Sequence, residues 1–248
     1  MMRVLGYVIL GLLAYAVFLL ATLPATQAVA LLQQQIPQLR AAGVSGTAWS
    51  GEAAVLQVEG QTLRRVDWQI RPWSVLLGEL QLDLRLQDAD LSGRASVGLK
   101  PDGSIHLSGV DLNLAAAAAS NLFNVPVDLG GQFQLRLDSA QLQGRQLQSA
   151  EGEVRWQRAA VTAPVAQALG EFVARLSTVE QGVQAQVKDD GGPLQLDGTA
   201  LLTPAGAYNF NGAVAVRDPQ EKMLVQGLQA LGRPGPDGRV PLLYSGRL

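Results

Sequence analysis

Asp88-Ala89-Asp90 sets two carboxylates two residues apart, a spacing that in a strand turns both to one face, where they could attract a cation. Asp189-Asp190, just before Gly191-Gly192, is a second acidic pair. A solvated strand end accounts for the first more simply and a turn for the second, and no metal-ligand spacing accompanies either. His106 is the single histidine, and between Ile105 and Leu107 it should point to the wet face of its strand. One imidazole without partners is not a site. Cysteine is absent, which removes disulfides, thiol chemistry and zinc sites built on Cys and His clusters. No phosphate-binding glycine loop or nucleophile elbow appears. The expectation is a chain with no catalytic residues, no cofactor and no metal.

The large side chains are more informative. Four tryptophans, Trp49, Trp68, Trp73 and Trp156, stand among few aromatics. Trp68 and Trp73 lie in "VDWQIRPWSVLLGEL", around Pro72. Anchoring of a core or strand end is the plain reading of these rings; the functional one is a partner surface at Trp68 and Trp73, where aromatics are enriched.

Most of the chain that must position these groups alternates with period 2. "LQLDLRLQ" puts Leu80, Leu82, Leu84 and Leu86 on one face and Gln81, Asp83, Arg85 and Gln87 on the other. "QFQLRL", "EVRW" and "VQAQV" repeat the pattern, which marks antiparallel strands with one face covered and one wet. Pro101-Asp102-Gly103 and Pro236-Asp237-Gly238 are tight-turn signals between such runs. Other glycines recur inside the runs, and Gly51, Gly93, Gly198 and Gly212 are expected to bend or bulge their strands and so curve the sheet strongly.

Three short helices interrupt the strands. "LAAAAASNLF", 114–123, is Ala-rich; "APVAQALGEFVARL" lines up Val165, Leu169, Phe172 and Leu176; "DPQEKMLVQGLQALG" offers Asp218 as N-cap and Leu224, Leu228 and Leu231 on one side. Ahead of the strands, residues 4–23 form 20 uncharged residues, enough for a helix of roughly 30 Å. Arg3 precedes this segment and Arg40 is the next charge, which places the N-terminus in the cytoplasm. Ala28-Val29-Ala30 is an A-x-A site, but the apolar run exceeds an ordinary signal-peptide core, so a retained anchor is expected. The resulting division is a cytoplasmic tip and transmembrane anchor over 1–24, an amphipathic helix and linker over 25–43, a first β lobe over 44–160, and over 161–248 a helix, a second β lobe and a C-terminal helix and strand. The fold class is mainly β: a transmembrane helix followed by strongly curved antiparallel sheet with a few short helices. A net charge of −2 gives no general attraction to nucleic acid.

"GTAWSGEA", "VDWQIRPWSVLLGEL", "EGEVRWQRAAV", "DDGGPLQLDGTALLTPAGAYNFNG" and the terminal "LQALGRPGPDGRVPLLYSGRL", in that order after an early apolar segment, resemble the type II secretion system protein N family of Gram-negative bacteria. The resemblance implies a non-enzymatic accessory protein, single-pass in the inner membrane through residues 4–23, with a periplasmic domain that binds other type II secretion components. It carries over no set of functional residues. The competing reading is a periplasmic β-groove that binds lipid or another hydrophobe along a Leu-rich face.

Overall fold

Alternating side chains need a partner strand to satisfy the backbone between them, and in the computed structural model nearly every such run finds its sequence neighbour. The structure describes residues 2–58, 61–76, 78–122, 127–144, 146–163 and 166–247. The chain divides into two units, Met1–Asp88 and Ala89–Leu248. The lobe boundary expected at residue 160 falls inside a strand.

The first unit begins with α1 (Met2–Ala21) and α2 (Ala25–Gln35). Several side chains of α1 (2–6, 8, 9, 13, 16 and 17) lie outside the described residues. Among the described residues no helix is long and apolar enough to cross a membrane, so the span expected over 4–23 gains no support from them. An antiparallel meander follows: β1 (Arg40–Gly46), β2 (Ser50–Val58), β3 (Gln61–Arg71), the short helix α3 (Pro72–Leu76) and β4 (Leu80–Gln87). Gly43, the last residue of the expected helix and linker, lies within β1. Cross-strand pairing aligns Ala53, Val66 and Leu86 in one row and Gly51, Trp68 and Leu84 in the next. Glu52, Asp67 and Arg85 fill the opposite face.

The second unit is a nine-stranded meander. Its strands are β5 (Leu91–Leu99), β6 (Ser104–Ala115), β7 (Asp128–Gln143), β8 (Gln146–Ala163), β9 (Gln167–Val179), β10 (Gly182–Asp189), β11 (Leu194–Leu202), β12 (Ala207–Val216) and β13 (Val240–Arg247). Helix α4 (Ala116–Leu122) packs on β6 and β7, and α5 (Lys222–Leu231) on β12 and β13. Each strand pairs antiparallel with the next.

Pairing sorts this unit into two chemically distinct faces. Leu91, Leu114, Phe133, Trp156 and Phe172 form one row of the apolar face, and Leu112, Leu135, Val154, Ala174 and Val187 the next. The opposite face pairs charges across strands: Asp111 with Arg136, Glu153 with Arg175, Lys188 with Asp197. These ions sit 3.7–3.9 Å apart on exposed or half-exposed side chains and contribute little each. Two buried clusters hold the apolar face. Val110, Leu137, Ala140, Ala150 and Val183 make one; Leu194, Val214 and Val240, capped by Leu224 of α5, make the other. The rest of that face is half-buried: all nine strands belong to one sheet, and among the described residues of this unit no second sheet covers it.

Two expectations are corrected here. Residues 167–179 are a strand, not a helix. The four-residue step from Phe172 to Leu176 satisfies period 2 as well as period 3.6, and Gly170 at φ +110° breaks the alternation so that Leu169 joins the same stripe. Val165, the first residue of the expected stripe, lies outside the described residues. Nor is the sheet strongly curled. The internal glycines do different work. Gly51 sits directly opposite Trp68, and a Cβ there would stand 2.6 Å from the indole. Gly198 and Gly212 face each other, with the Phe210 ring 2.7–2.9 Å from where their Cβ atoms would be. These glycines are seats for aromatic rings laid across the strand pair. Gly93, at φ +142°, runs hard against the backbone of Asp111.

The remaining helices match in outline. The expected 114–123 helix is α4, with residues 114 and 115 completing β6. Asp218 does not cap α5 itself: its carboxylate accepts the Gln220 amide at 2.9 Å in a turn, and the helix starts at Lys222.

Candidate functional site

The antiparallel pairing gathers one set of groups at one end of the first unit's sheet. β1 and β3 finish there, and β2 and β4 begin there. The turn between β1 and β2 carries Trp49, whose indole N–H donates to the Leu20 carbonyl in the last turn of α1 at 2.7 Å. The Ala48 amide donates to the Leu23 carbonyl at 2.8 Å, and Pro24 bridges to Thr47. The Trp49 carbonyl accepts the Ile70 amide at 2.6 Å, and the Trp68 indole donates to the Ala48 carbonyl at 3.2 Å. Trp49 and Trp68 are thus fastened and half-buried, each with its one polar atom satisfied.

Trp73 differs. It lies on α3 just past the end of β3 and is 78% exposed, next to Val75 at 48%. The turn that displays it is fixed from beneath by Ser74, which is 6% exposed. The Ser74 hydroxyl donates to the Arg71 carbonyl at 2.7 Å and accepts the Gln81 amide at 3.0 Å, tying α3 to both flanking strands. Arg71 in turn holds Asp83 at 2.9 Å. The result is a hydrogen-bonded turn that displays an outward tryptophan, not a loose loop. The expected pair Trp68 and Trp73 is therefore split: one ring packs, the other projects.

In the second unit exposed apolar groups include Tyr208 of β12, Met223 of α5 and two neighbours on the last strand. β13 is an edge, and from Leu243 onward its side chains are exposed, Leu243 at 69% and Tyr244 at 54%. The sequence does not single these two out beyond the alternation of "VPLLYSGRL", because edge position depends on which strands pair. A groove of about 540 Å³ on the polar face is lined by Gln181, Gln184, Thr199, Asn209 and Asn211 among others. Nearby, Glu153 and then Asp190 hydrogen-bond Arg155 and hold its pKa above the ordinary value.

Three of the four acidic candidates have partners for their carboxylates, and Asp90 is held through its backbone. Asp88 accepts the Arg64 amide at 2.7 Å, and the Asp90 carbonyl accepts the Ala115 amide at 2.8 Å. Asp189 pairs with Arg217 and accepts the Leu196 amide, and Asp190 pairs with Arg155 at 2.6 Å. His106 lies between Gly98 and Gln141 in the ladder, half-buried, with Nδ1 unpartnered. Among the described residues no group of three or more His, Cys, Asp or Glu is placed to hold a metal ion.

Fold and site define a class: antiparallel meander proteins that expose apolar side chains at a sheet end and along a sheet edge. The family model for "Type II secretion system (T2SS), protein N" matches residues 37–243. Curated relatives described as type II secretion system protein N are 32% identical in Aeromonas hydrophila, over 96% of both chains, and 28% identical in Vibrio cholerae, over 100% of both. A third, from Klebsiella pneumoniae, is 27% identical over 96% of this chain and 94% of its own. No solved structure matches. The chain belongs to the type II secretion system protein N family, and with it to the type II secretion machinery.

Proposed function

We propose that the protein is a non-enzymatic accessory part of that machinery, held in the inner membrane by residues 4–23 with its N-terminus cytoplasmic, and that its periplasmic sheet binds other secretion components. The observation that carries the reading is the β13 edge. Among the described residues no strand neighbours its outer N–H and C=O groups, and exposed Leu243 and Tyr244 would supply side-chain contacts on the two faces of an added strand. Proline at Leu243 and, separately, at Tyr244 tests it. Amides alternate in direction along an edge, so one of these two variants loses only an outward N–H and leaves the pairing with β12 intact. That variant should fold normally and export poorly. Normal export by a folded variant of each kind would refute edge binding.

A second reading has its own observation. The row from Leu112 through Leu135 and Val154 is half-buried, with no second sheet over it among the described residues of its unit, and covering each such side chain would gain about 1 kcal/mol. An acyl chain is a suitable cover. A photo-crosslinking amino acid at Leu135, activated in cells, separates the readings: a lipid adduct favours the hydrophobe-binding face, a protein adduct the scaffold.

A further inference from the structure

We infer that the end of the first unit's sheet that carries α3 is a membrane foot, with Trp73 and Val75 seated in the headgroup region of the bilayer. The inference rests on the reading of α1 as an anchor and gives Trp73 a lipid surface rather than a protein as its partner. Its support is a chain of contacts joining residues far apart in sequence. The Leu20 carbonyl, at the end of α1, holds the Trp49 indole; the Trp49 carbonyl holds the Ile70 amide; Arg71 and α3 follow at once. A helix that crosses the hydrocarbon core and ends near Ala21 therefore delivers α3 to the same depth as its own last turn.

The side chains gathered there suit that depth. Trp49, Trp68 and Trp73 all lie at this end of the sheet, and indoles favour the membrane–water boundary, where an apolar ring and a polar N–H are both satisfied. Two of the three N–H groups are already bonded to the backbone, which leaves Trp73 as the exposed ring. Pro72, Trp73 and Val75 are uncharged and exposed, while the Arg71–Asp83 ion pair lies one step back on the sheet. No charge occurs between Val4 and Leu39, so nothing in the connecting segment resists a position against lipid. The seating should depend on apolar contact and so be insensitive to salt.

The absence of cysteine makes the test direct. The full chain is reconstituted in phosphatidylcholine vesicles with one cysteine carrying an environment-sensitive fluorophore, at Val75, at Leu12 in α1, or at Thr62. Thr62 lies at the opposite end of the sheet, roughly 25 Å away by strand rise. The expected result is at least threefold stronger quenching at Val75 than at Thr62 by lipids with a shallow nitroxide, unchanged at high salt. Leu12 should respond to a deep nitroxide. If Leu12 is quenched and Val75 is instead reached by aqueous iodide as readily as Thr62, the foot is overturned while the anchor stands. If Leu12 is not quenched, anchor and foot both fail. A Trp73→Ser variant should reduce quenching at Val75 at least twofold, and unchanged quenching would also count against the seating.

Discussion

The two units use the same alternating strands and place their aromatic rings differently. In the first, the tryptophans collect at one end of the sheet, two tied to backbone carbonyls and one projecting. In the second, Phe133, Trp156 and Phe172 run across three strands mid-sheet, with ring centroids 5.0 and 5.9 Å apart, and the Trp156 indole donates to the Gly130 carbonyl at 3.0 Å. Three rings laid across neighbouring strands tie a ladder together; three gathered at a sheet end fasten a turn and leave one ring projecting. Residue type alone does not decide which role a tryptophan takes; its position in the sheet and the residues opposite it do.

The largest expected effect breaks this comparison at its centre. Trp156→Ala should cost about 3 kcal/mol, since two ring neighbours and a hydrogen bond are lost together. Trp73→Ala should stay within about 0.5 kcal/mol, because the ring is mostly in solvent already. Denaturant titration of both variants decides; equal losses would erase the distinction between the units.

The glycine seats come next. Gly198→Val and Gly51→Val should each cost about 2 kcal/mol through overpacking. Their rescue should differ. At Gly198 the obstacle is mainly the Phe210 ring, so Phe210→Ala in the same chain should restore part of the loss. At Gly51 the Ser45 carbonyl is as close as the Trp68 ring, so Trp68→Ala should restore little. Melting temperatures of the four single and two double variants check this, and equal rescue would show that the backbone is not the limit at Gly51.

Ser74→Ala should cost about 1–2 kcal/mol by leaving the Gln81 amide without its partner. It should also loosen α3, visible as faster hydrogen exchange at Gly78 and Glu79, whose amides bond within that turn. Unchanged exchange would mean that Trp73 is held by something other than this serine.

The smallest effect lies in the turn of the second unit. Ser104, through its hydroxyl and then its amide, holds the Asp102 carboxyl below its ordinary pKa. A carboxylate with a depressed folded-state pKa stabilises above the unfolded value of about 4 and loses that contribution as pH falls below it. Asp102→Asn should therefore flatten the melting temperature between about pH 5 and pH 2 relative to the parent chain. A parallel decline would place the acid sensitivity elsewhere.

What could be read from sequence follows the range of the physics. Alternation over "LQLDLRLQ" and "QFQLRL" is local, and those residues lie in β4 and β7. The tight turn at Asp102-Gly103 is local too. Residues 167–179 misled because a four-residue apolar step suits both periods, and only the twist at Gly170 resolves it. The glycines showed that something in the strands was unusual, but whether a missing Cβ permits a bend or a ring depends on the strand opposite. Trp68 and Trp73 stood out as large side chains; which one packs is decided by Gly51 and Ser74. The link from Leu20 through Trp49 to Ile70 spans fifty residues and has no signature in any of them.

Within each unit every strand pairs with the one made just before it, from β1 to β4 and from β5 to β13. No strand waits for a partner from later in the chain, and loop closures are short, which keeps contact order low for a β protein. A chain delivered N-terminus first through a narrow channel can therefore add each strand to a template already formed. Among the described residues β13 closes the order, and its outer edge is a template to which no further strand has been added.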